Sequence, residues 1–574
     1  MKRIAALILG VLGIAGCVAG WAAYQEVAQS HAASLARLMP QDAVLFLEAR
    51  DLRAALADWN SSPQKQLWLN TDNHEVFSRS RLFLRLKQAQ DEFATAAGLA
   101  PDMSFLSEVA GEQSALAVYD IGKLQLLYVT RLPSARAMQS GIWQQRGKFE
   151  TREINGKQFY VRTDPQSQRV AAFAIADDYL ILATREDLVA GALSLLADQK
   201  TTALGQQGWF TDVIKAAKEP GELRLVVHLA EVAKTPQFRT YWVQQNITEM
   251  RQYESSVSDL FRSAATYREE RVLLLKDKSE GSSETADAGA QVAELMRLVP
   301  SETGFYRASA APSEEESLAL LEQRVLTPRL GPAPDSKVAP NAPTGGQPAG
   351  SETNLDVRID VPPSTSAAQS NGDSALKELV KQANVRAALQ LHGSQIDANG
   401  IFVRLHSTIV LRAAVDWDEA SVQQAIQRAV APGLTASTLG AQWRRAGGAQ
   451  GYSELDGLVR IAMAVRGRYL LVSDAPATLT AVLARFSQPV TAESAIYCAG
   501  FDHARERQNF YRLTSLVDQP SRATAANNAS REPEFFSQNV ASLSQTLGAV
   551  KSQSIVAKRK GGVETQTVLY EWGK

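Results

Sequence analysis

The 574-residue sequence contains very little cysteine. Only Cys17 and Cys498 occur, and Cys17 lies inside an apolar N-terminal segment, where a disulfide to a distant strand is hard to form. This placement excludes the disulfide framework of a small secreted domain. We therefore predict a folded part without disulfides, which is normal for a large exported bacterial domain with a sizeable core.

The sequence also lacks an excess of charge of either sign. Its 60 Lys and Arg residues nearly cancel its 61 Asp and Glu residues, for a net charge of −1. Without a strong global field there is no general attraction to nucleic acid or to an acidic polymer. We predict no nucleic-acid partner, and any electrostatic recognition has to come from local patches.

Catalytic and metal-binding motifs are missing as well. The six histidines are scattered without the spacing of metal ligands, and neither a phosphate-binding loop nor a Gly-x-Ser-x-Gly elbow is present. Ser62 and Lys65 have the Ser-x-x-Lys spacing, but the companion Lys-Thr-Gly element is absent. The sequence therefore assigns no catalytic residue, no metal and no cofactor.

One weak catalytic candidate is the group Cys498, Asp502, His503 and Glu506, at the predicted junction of a strand and a helix. A thiol and an imidazole there could form a nucleophile pair. The alternative is structural: Cys498 lies in the apolar run 495–499 and fits a buried thiol, while Asp502 fits a helix N-cap. We favour the structural interpretation.

The first 24 residues are the clearest functional signal. Met1, Lys2 and Arg3 give a positive start, and Ile4 to Tyr24 then carry no charge. An uncharged stretch of 21 residues has the length of a spanning helix, which needs about 20 apolar residues, rather than that of a signal peptide. The basic start also predicts that residues from Gln25 onward lie outside the cytoplasm.

A lipoprotein signal is the competing interpretation of the same segment. Ile14-Ala15-Gly16-Cys17 resembles the bacterial lipobox, in which the chain is cleaved before the cysteine and the cysteine is lipidated. Residues 1–24 are thus a signal anchor or a lipoprotein signal, with Cys17 the possible lipidation site. Both alternatives predict a protein held at a membrane of the cell envelope.

An internal repeat organises the rest of the chain. The segment 172–182 resembles 462–472, since each has an apolar strand, a tight polar turn and a second strand that begins with Tyr. We predict two tandem α+β repeats, 36–277 and 293–574, each with an antiparallel, hairpin-rich sheet covered by helices. Each repeat should end in a hairpin, with polar turns between 267 and 271 and at 561–562.

Two segments differ in composition from these repeats. Residues 278–292 are predicted to form a linker, since the polar run 276–288 is rich in Ser, Glu and Asp. Residues 328–374 or thereabouts are dominated by Pro, Gly, Ser, Ala and Asn, which predicts a disordered insertion in the second repeat. The corresponding region of the first repeat, about 61–111, has helical spacing instead.

The anchored start, the opening pattern from Leu38 to Glu48 and the two hairpin-rich repeats together resemble an uncharacterised bacterial domain-of-unknown-function family of exported, membrane-anchored α+β proteins. The resemblance is one of layout and implies no activity or site residue. Duplication without catalytic motifs favours a non-enzymatic binding or scaffold protein of the envelope, with a protein partner or a ligand. A cell-envelope hydrolase with a site in one repeat is the alternative.

Overall fold

The computed structural model describes thirteen stretches of the chain and a few single residues. The stretches are 33–62, 81–100, 105–198, 201–236, 250–263, 265–277, 284–326, 373–396, 403–434, 442–446, 451–455, 460–509 and 550–572. The predicted anchor at 1–24, with Cys17, and residues 328–372 of the predicted insertion lie outside them. Within the described stretches, no helix is both long enough and apolar enough to cross a bilayer.

The chain divides into two compact units. Of the described residues, the first unit takes those from 33 to 277 and from 559 to 572, and the second takes those from 284 to 509 and from 550 to 558. The end of the chain therefore groups with the first unit, whereas the sequence prediction placed it in the second repeat.

Both units are mixed α+β with antiparallel sheets. The strands of the first unit are β1 (Leu45–Ala49), β2 (Ser114–Asp120), β3 (Gln125–Arg131), β4 (Glu150–Ile154), β5 (Lys157–Thr163), β6 (Val170–Ala176), β7 (Tyr179–Ala183), β8 (Leu223–Val227), β9 (Tyr253–Arg262) and β10 (Thr266–Leu275). Those that follow are β11 (Phe305–Ala310), β12 (Val385–Ile396), β13 (Val403–Ala413), β14 (Trp443–Ala446), β15 (Tyr452–Leu455), β16 (Ile461–Arg466), β17 (Tyr469–Ser473), β18 (Tyr497–Asp502), β19 (Val550–Lys560) and β20 (Val563–Trp572).

The order of neighbouring strands is similar in the two sheets. In the first unit it is β4-β5-β6-β7-β3-β2-β1-β8-β9-β10, and β20 pairs with the outer side of β10. In the second unit it is β14-β15-β16-β17-β13-β12-β11-β18-β19. In each order, four consecutive strands lie side by side at one end: β4 to β7 in the first unit and β14 to β17 in the second.

Helices cover the sheet of the first unit. They are α1 (Leu52–Ser61), α2 (Arg81–Ala97), α3 (Phe105–Val109), α4 (Ser134–Ala137), α5 (Gly141–Gln144), α6 (Glu186–Leu196), α7 (Gly208–Ala216) and α8 (Leu229–Val232). Apolar residues at helical spacing explain α6, which buries Leu188, Val189 and Leu193 against the core around Phe46. A second core, around Phe173, packs beneath the end of α2.

The second unit is built in the same way. Its helices are α9 (Glu284–Met296), α10 (Glu314–Leu321), α11 (Asp373–Ala383), α12 (Glu419–Leu434) and α13 (Pro476–Ala484), and residues 503–509 are also helical. One core lies against α10, α11 and α12, and the other lies against α9 and α13. Part of the predicted linker 278–292 is therefore helix α9, and its apolar residue Val292 is buried in the core that lies against α9 and α13.

Several local predictions are confirmed and one is wrong. The hairpins β6–β7 and β16–β17 begin their second strands with Tyr179 and Tyr469, as the repeat predicted. The polar turn predicted between 267 and 271 does not exist, because β10 runs unbroken from Thr266 to Leu275. The charged residues remain in the strand since they pair along it, as Arg271 does with Glu269 at 2.7 Å.

Candidate functional site

Cys498 is a buried core residue. Only 5% of its surface is exposed, and it packs in the core formed by α9 and α13. Burial raises the pKa of its thiol to about 11, so the thiol stays protonated at neutral pH. A thiolate nucleophile is not available at this position.

Asp502 and His503 have separate structural roles. Asp502 Oδ1 accepts a hydrogen bond from the Arg505 N–H at 2.9 Å, which caps the helix 503–509. The His503 ring contacts the Phe501 ring edge-on at 4.6 Å. Phe501 and Cys498 alternate onto opposite faces of β18, so the structure does not bring the predicted thiol and imidazole together.

Ser62 and Lys65 do not form a catalytic pair either. The Ser62 hydroxyl donates to the Trp59 carbonyl at 2.8 Å, where it closes helix α1. The Lys65 ammonium donates to Asn60 Oδ1 at 2.6 Å. The Ser-x-x-Lys spacing is therefore part of a helix end.

A polar cluster in the second unit surrounds Glu506, which the sequence grouped with Cys498, Asp502 and His503 but not with the partners that the structure gives it. Glu506 lies on the helix 503–509 and is only 4% exposed. Its Oε2 accepts hydrogen bonds from the Ser394 hydroxyl and from the Ser394 N–H, the latter at 3.2 Å, and Asn509 Nδ2 donates to the same hydroxyl at 2.9 Å. Gly304 lies against this carboxylate, and a Cβ at that position would collide with it unless the Glu506 side chain moved.

The carboxylate of Glu506 is only half satisfied. Its Oε1 is buried and has no hydrogen-bond partner among the described residues. A buried polar atom of this kind is destabilising unless it has another role.

Two histidines and their partners lie beside this cluster. His392 stacks on Phe305 with ring centres 5.6 Å apart, and its Nδ1 is 2.8 Å from the Ser407 hydroxyl. Asp474 Oδ1 accepts from the Ser407 N–H at 2.7 Å and lies 3.6 Å from His406 Nδ1. Ser407 itself is fully buried, so its hydroxyl is closed to solvent.

A cavity of about 300 Å³ opens at this end of the second unit. Its walls come from the loop before β11, the ends of β12 and β13, the first turns of α13 and the helix 503–509. The lining residues are Pro300, Glu302, Thr303, Leu391, His392, Gly393, Ser394, Gln395, His406, Ala477, Thr478, Ala481 and Arg505. The described part of the chain contains no group of three His, Cys, Asp or Glu residues that could hold a metal ion.

The first unit has a cavity of about 490 Å³ that includes Val44, Tyr119 and Ile121. Its wall also includes Pro236, the last described residue before 250. We assign no site to it.

Sequence reasoning missed the cavity because its residues are distant in the chain. Glu506 and Ser394 are 112 residues apart. His392 and His406 meet only through the register of β12 and β13, in which Gly393 pairs with His406. The one available signal was the placement of His406 and Ser407 within an apolar strand.

Comparison with known proteins does not place the chain in a family. No protein-family model matches the sequence, and no curated protein is significantly similar to it. Solved structures that match part of the chain include crystal form I of TP0453, at 10% identity and a TM-score of 0.22, over 43% of this chain and 81% of that chain. Crystal form IV of TP0453 matches with the same identity and TM-score over 43% of this chain and 82% of that one. A likeness this low supports no conclusion about fold or function.

Proposed function

We propose that this chain is a non-enzymatic binding or scaffold protein of the bacterial cell envelope. In this proposal residues 1–24 hold it at a membrane and residues from Gln25 onward lie outside the cytoplasm. Its two units are tandem copies of one α+β unit, and the second copy carries the binding site.

Matching main-chain hydrogen bonds support the duplication. Three main-chain bonds of the first unit have counterparts at the same points of the second unit's strand order. Arg50 N–H to the Glu222 carbonyl matches Ala310 N–H to the Ile496 carbonyl, and Leu132 N–H to the Asp178 carbonyl matches Ala413 N–H to the Arg468 carbonyl. His228 N–H to the Val44 carbonyl matches Asp502 N–H to the Gly304 carbonyl. A side-chain contact recurs as well. Leu126 N–H donates to Thr184 Oγ1 at 2.8 Å, and Ser407 N–H donates to Asp474 Oδ1 at 2.7 Å.

The contrast between the cavity and the nucleophiles carries the binding proposal. The cavity of the second unit is open and lined by both apolar and polar groups, as ligand sites are. Cys498 and Ser407, by contrast, are buried in the sheet. The Ser394 hydroxyl does line the cavity, but it is held by hydrogen bonds to Glu506 and Asn509 and no imidazole is bonded to it among the described residues, which favours recognition over covalent catalysis.

Recovery of a bound partner tests the proposal. The tagged full-length protein is purified from a detergent extract, and proteins and small molecules that accompany it stoichiometrically are identified by mass spectrometry. Arg505→Ala, at the cavity, should reduce the recovered partner, whereas Arg428→Ala, on the exposed face of α12, should not. Recovery of no stoichiometric protein or small molecule would contradict the proposal.

The form of the anchor is tested separately. Mass spectrometry of the mature N-terminus distinguishes an acylated Cys17 from an intact start at Met1 or Lys2. The acylated form would exclude the spanning helix, and the intact form would exclude the lipoprotein. An unmodified N-terminus after Tyr24 would contradict both.

A cell-envelope hydrolase is the second candidate, and the contact between His392 and Ser407 favours it. The imidazole is within hydrogen-bonding distance of the hydroxyl, as in a serine nucleophile with its general base. The buried hydroxyl would have to become exposed for this chemistry. A fluorophosphonate probe that labels the native protein, but not the Ser407→Ala variant, would favour the hydrolase.

A further inference from the structure

Tyr119 and Gly393 occupy the same position in the two sheets. In the first unit, β1 pairs Leu45 with Val118, and in the second unit, β11 pairs Phe305 with His392. Tyr119 and Gly393 are the next residues along their strands. The correspondence follows from the register of β1 with β2 and of β11 with β12, and it rests on the duplication proposed above. On the other side of the strand the two residues differ, because Tyr119 is the extra residue of a bulge between the pairs Val118–Leu126 and Asp120–Gln125, whereas Gly393 pairs with His406.

The Tyr119 side chain packs into the first unit. Its ring contacts the core around Phe46, and its hydroxyl donates to the Pro40 carbonyl at 2.9 Å. Burial raises the pKa of Tyr119 far above its usual range, and Asp42 and Asp187 raise it further, so the hydroxyl remains a donor. The β2–β3 ladder is irregular at this residue.

The second unit has no side chain at this position. A Cβ placed on Gly393 would meet no atom within 4 Å. The 300 Å³ cavity begins here, and its lining includes Pro300, Glu302 and Ala477.

These three lining residues hold the positions of the groups around Tyr119. Pro40 lies five residues before Leu45, as Pro300 does before Phe305, and Asp42 corresponds in the same way to Glu302. Asp187 follows β7 by four residues, as Ala477 follows β17. The cavity of the second unit is therefore located where the first unit holds a phenol ring.

We infer that the cavity of the second unit binds a hydroxylated aromatic ring, which takes the place of the missing tyrosine side chain. The ring lies over Gly393 and its hydroxyl donates to the Pro300 carbonyl. That carbonyl accepts the Thr303 N–H at 3.2 Å and retains a second lone pair. Glu302 and Arg505 at the wall can bind polar substituents of the ring.

Such a ring has two sources, a free small phenol or a tyrosine side chain of another protein. The volume lies at the lower limit of ligand pockets, about 300–1,000 Å³, which limits the free ligand to a small molecule. The probes p-cresol and N-acetyltyrosinamide distinguish these sources, since the second carries main-chain groups on both sides.

Titration of the full-length protein in detergent with p-cresol, followed by calorimetry and ligand-observed NMR, tests the inference. We expect saturable binding at one site, and about tenfold weaker binding of toluene, which lacks the hydroxyl. Tighter binding of N-acetyltyrosinamide than of p-cresol would assign the site to a partner's tyrosine, and the reverse would assign it to a free phenol. If neither p-cresol nor N-acetyltyrosinamide binds saturably, the inference is overturned.

Two variants that fill the cavity provide the control. Gly393→Tyr copies the first unit and should abolish p-cresol binding, and Ala481→Leu should weaken it from the opposite wall. Gly393→Ala adds only a methyl group in open space and should retain binding. Unchanged binding in a folded Gly393→Tyr or Ala481→Leu protein would place the ligand elsewhere and overturn the inference.

The reciprocal variant Tyr119→Ala tests the premise in the first unit. It should lower the melting temperature, and p-cresol should restore part of that loss in a concentration-dependent manner. Rescue of Tyr119→Ala without binding to the wild-type protein would refute the site in the second unit. The wild-type protein could fail to bind p-cresol and still be recovered with a stoichiometric partner. That result would reject the ring ligand and leave the proposed function intact.

Discussion

One rung of the sheet differs completely between the two units. In the first unit, β8 and β9 pair Arg224 with Asp259, and both are almost completely buried. In the second unit, β18 and β19 pair Cys498 with Val556 at the corresponding rung. The same place in the sheet thus holds a buried ion pair in one unit and an apolar pair in the other.

The ion pair is stable only because it is fully hydrogen-bonded. Arg224 Nε and Nη2 each donate to one oxygen of Asp259 at 2.7 Å, and the Gly221 N–H donates to Asp259 Oδ1 at 2.9 Å. Burial of a charge is costly without such partners, and an apolar pair of similar volume can be equally stable. The comparison indicates that the rung requires matched partners rather than a particular chemistry.

Asp259→Ala should have the largest effect on stability. It leaves Arg224 as a buried charge without its carboxylate, which typically lowers the free energy of unfolding by about 3–5 kcal/mol. The double variant Arg224→Cys with Asp259→Val, which copies the second unit, should recover most of that loss. Chemical denaturation of the full-length protein in detergent measures both. A double variant as unstable as Asp259→Ala would show that the ion pair itself stabilises the rung.

The ends of the sheets differ in a second way. Val232 of the first unit is buried in a small apolar cluster with Val44 and Ile121. Glu506 holds the corresponding position in the second unit and accepts two hydrogen bonds from Ser394. The second unit thus has a polar cluster next to its cavity where the first unit has apolar packing.

Glu506→Val should therefore destabilise the second unit, although valine suits the first. It removes the Glu506 acceptor from the partly buried Ser394 N–H, with an expected loss of about 1–3 kcal/mol in the free energy of unfolding. Ser394→Ala is the matched control and should lose less, since the main-chain bond to Glu506 remains. Equal losses in the two variants would mean that the hydroxyl contributes the whole interaction. Urea denaturation followed by circular dichroism distinguishes these results.

Local patterns were sufficient for much of the fold. The β6–β7 and β16–β17 hairpins were predicted because apolar strands flank a short polar turn. Helix α12 carries a similar local signal, since Asp418 precedes it and its Oδ2 accepts from the Ser421 N–H at 2.9 Å. The prediction of a turn within β10 was wrong because polar residues also lie in strands when both neighbouring strands pair with them, as β9 and β20 do here.

The cavity could not be predicted in the same way. Its residues come from five elements, most of them far apart in the chain, and only the tertiary fold brings them together. The correspondence between Tyr119 and Gly393 is likewise invisible in the sequence, because the connections between strands differ in length in the two units.

A smaller difference lies at the first residue of the helix that follows β8 in the first unit and β18 in the second. Leu229 is buried in the first unit, whereas His503 holds this place in the second. Burial lowers the pKa of His503 below 6.5, and Arg507 lowers it further, although Gln553 and Asp502 act in the opposite direction. The neutral imidazole is therefore the form that the folded state prefers.

This preference predicts a pH dependence with a definite sign. Below about pH 6.5 the unfolded state binds the proton more strongly than the folded state, so stability should fall as the pH decreases toward the lowered pKa. The loss should stay under about 1 kcal/mol because the ring is half exposed. His503→Leu, which copies the first unit, should remove this contribution between pH 5 and 7. An unchanged pH profile would assign the dependence to another group.

The smallest expected effect concerns the thiol of Cys498. Because burial raises its pKa to about 11, roughly one thiol in a thousand is ionised at pH 8. Dithionitrobenzoate should thus leave Cys498 unmodified in the native protein and modify it rapidly in denaturant. Comparison with Cys498→Ala separates this signal from that of Cys17. Rapid modification in the native state would mean that β18 opens locally at Cys498. The Arg224–Asp259 pair, which holds the corresponding position of the first unit by a bidentate contact, would then mark the more rigid of the two sheets at this point.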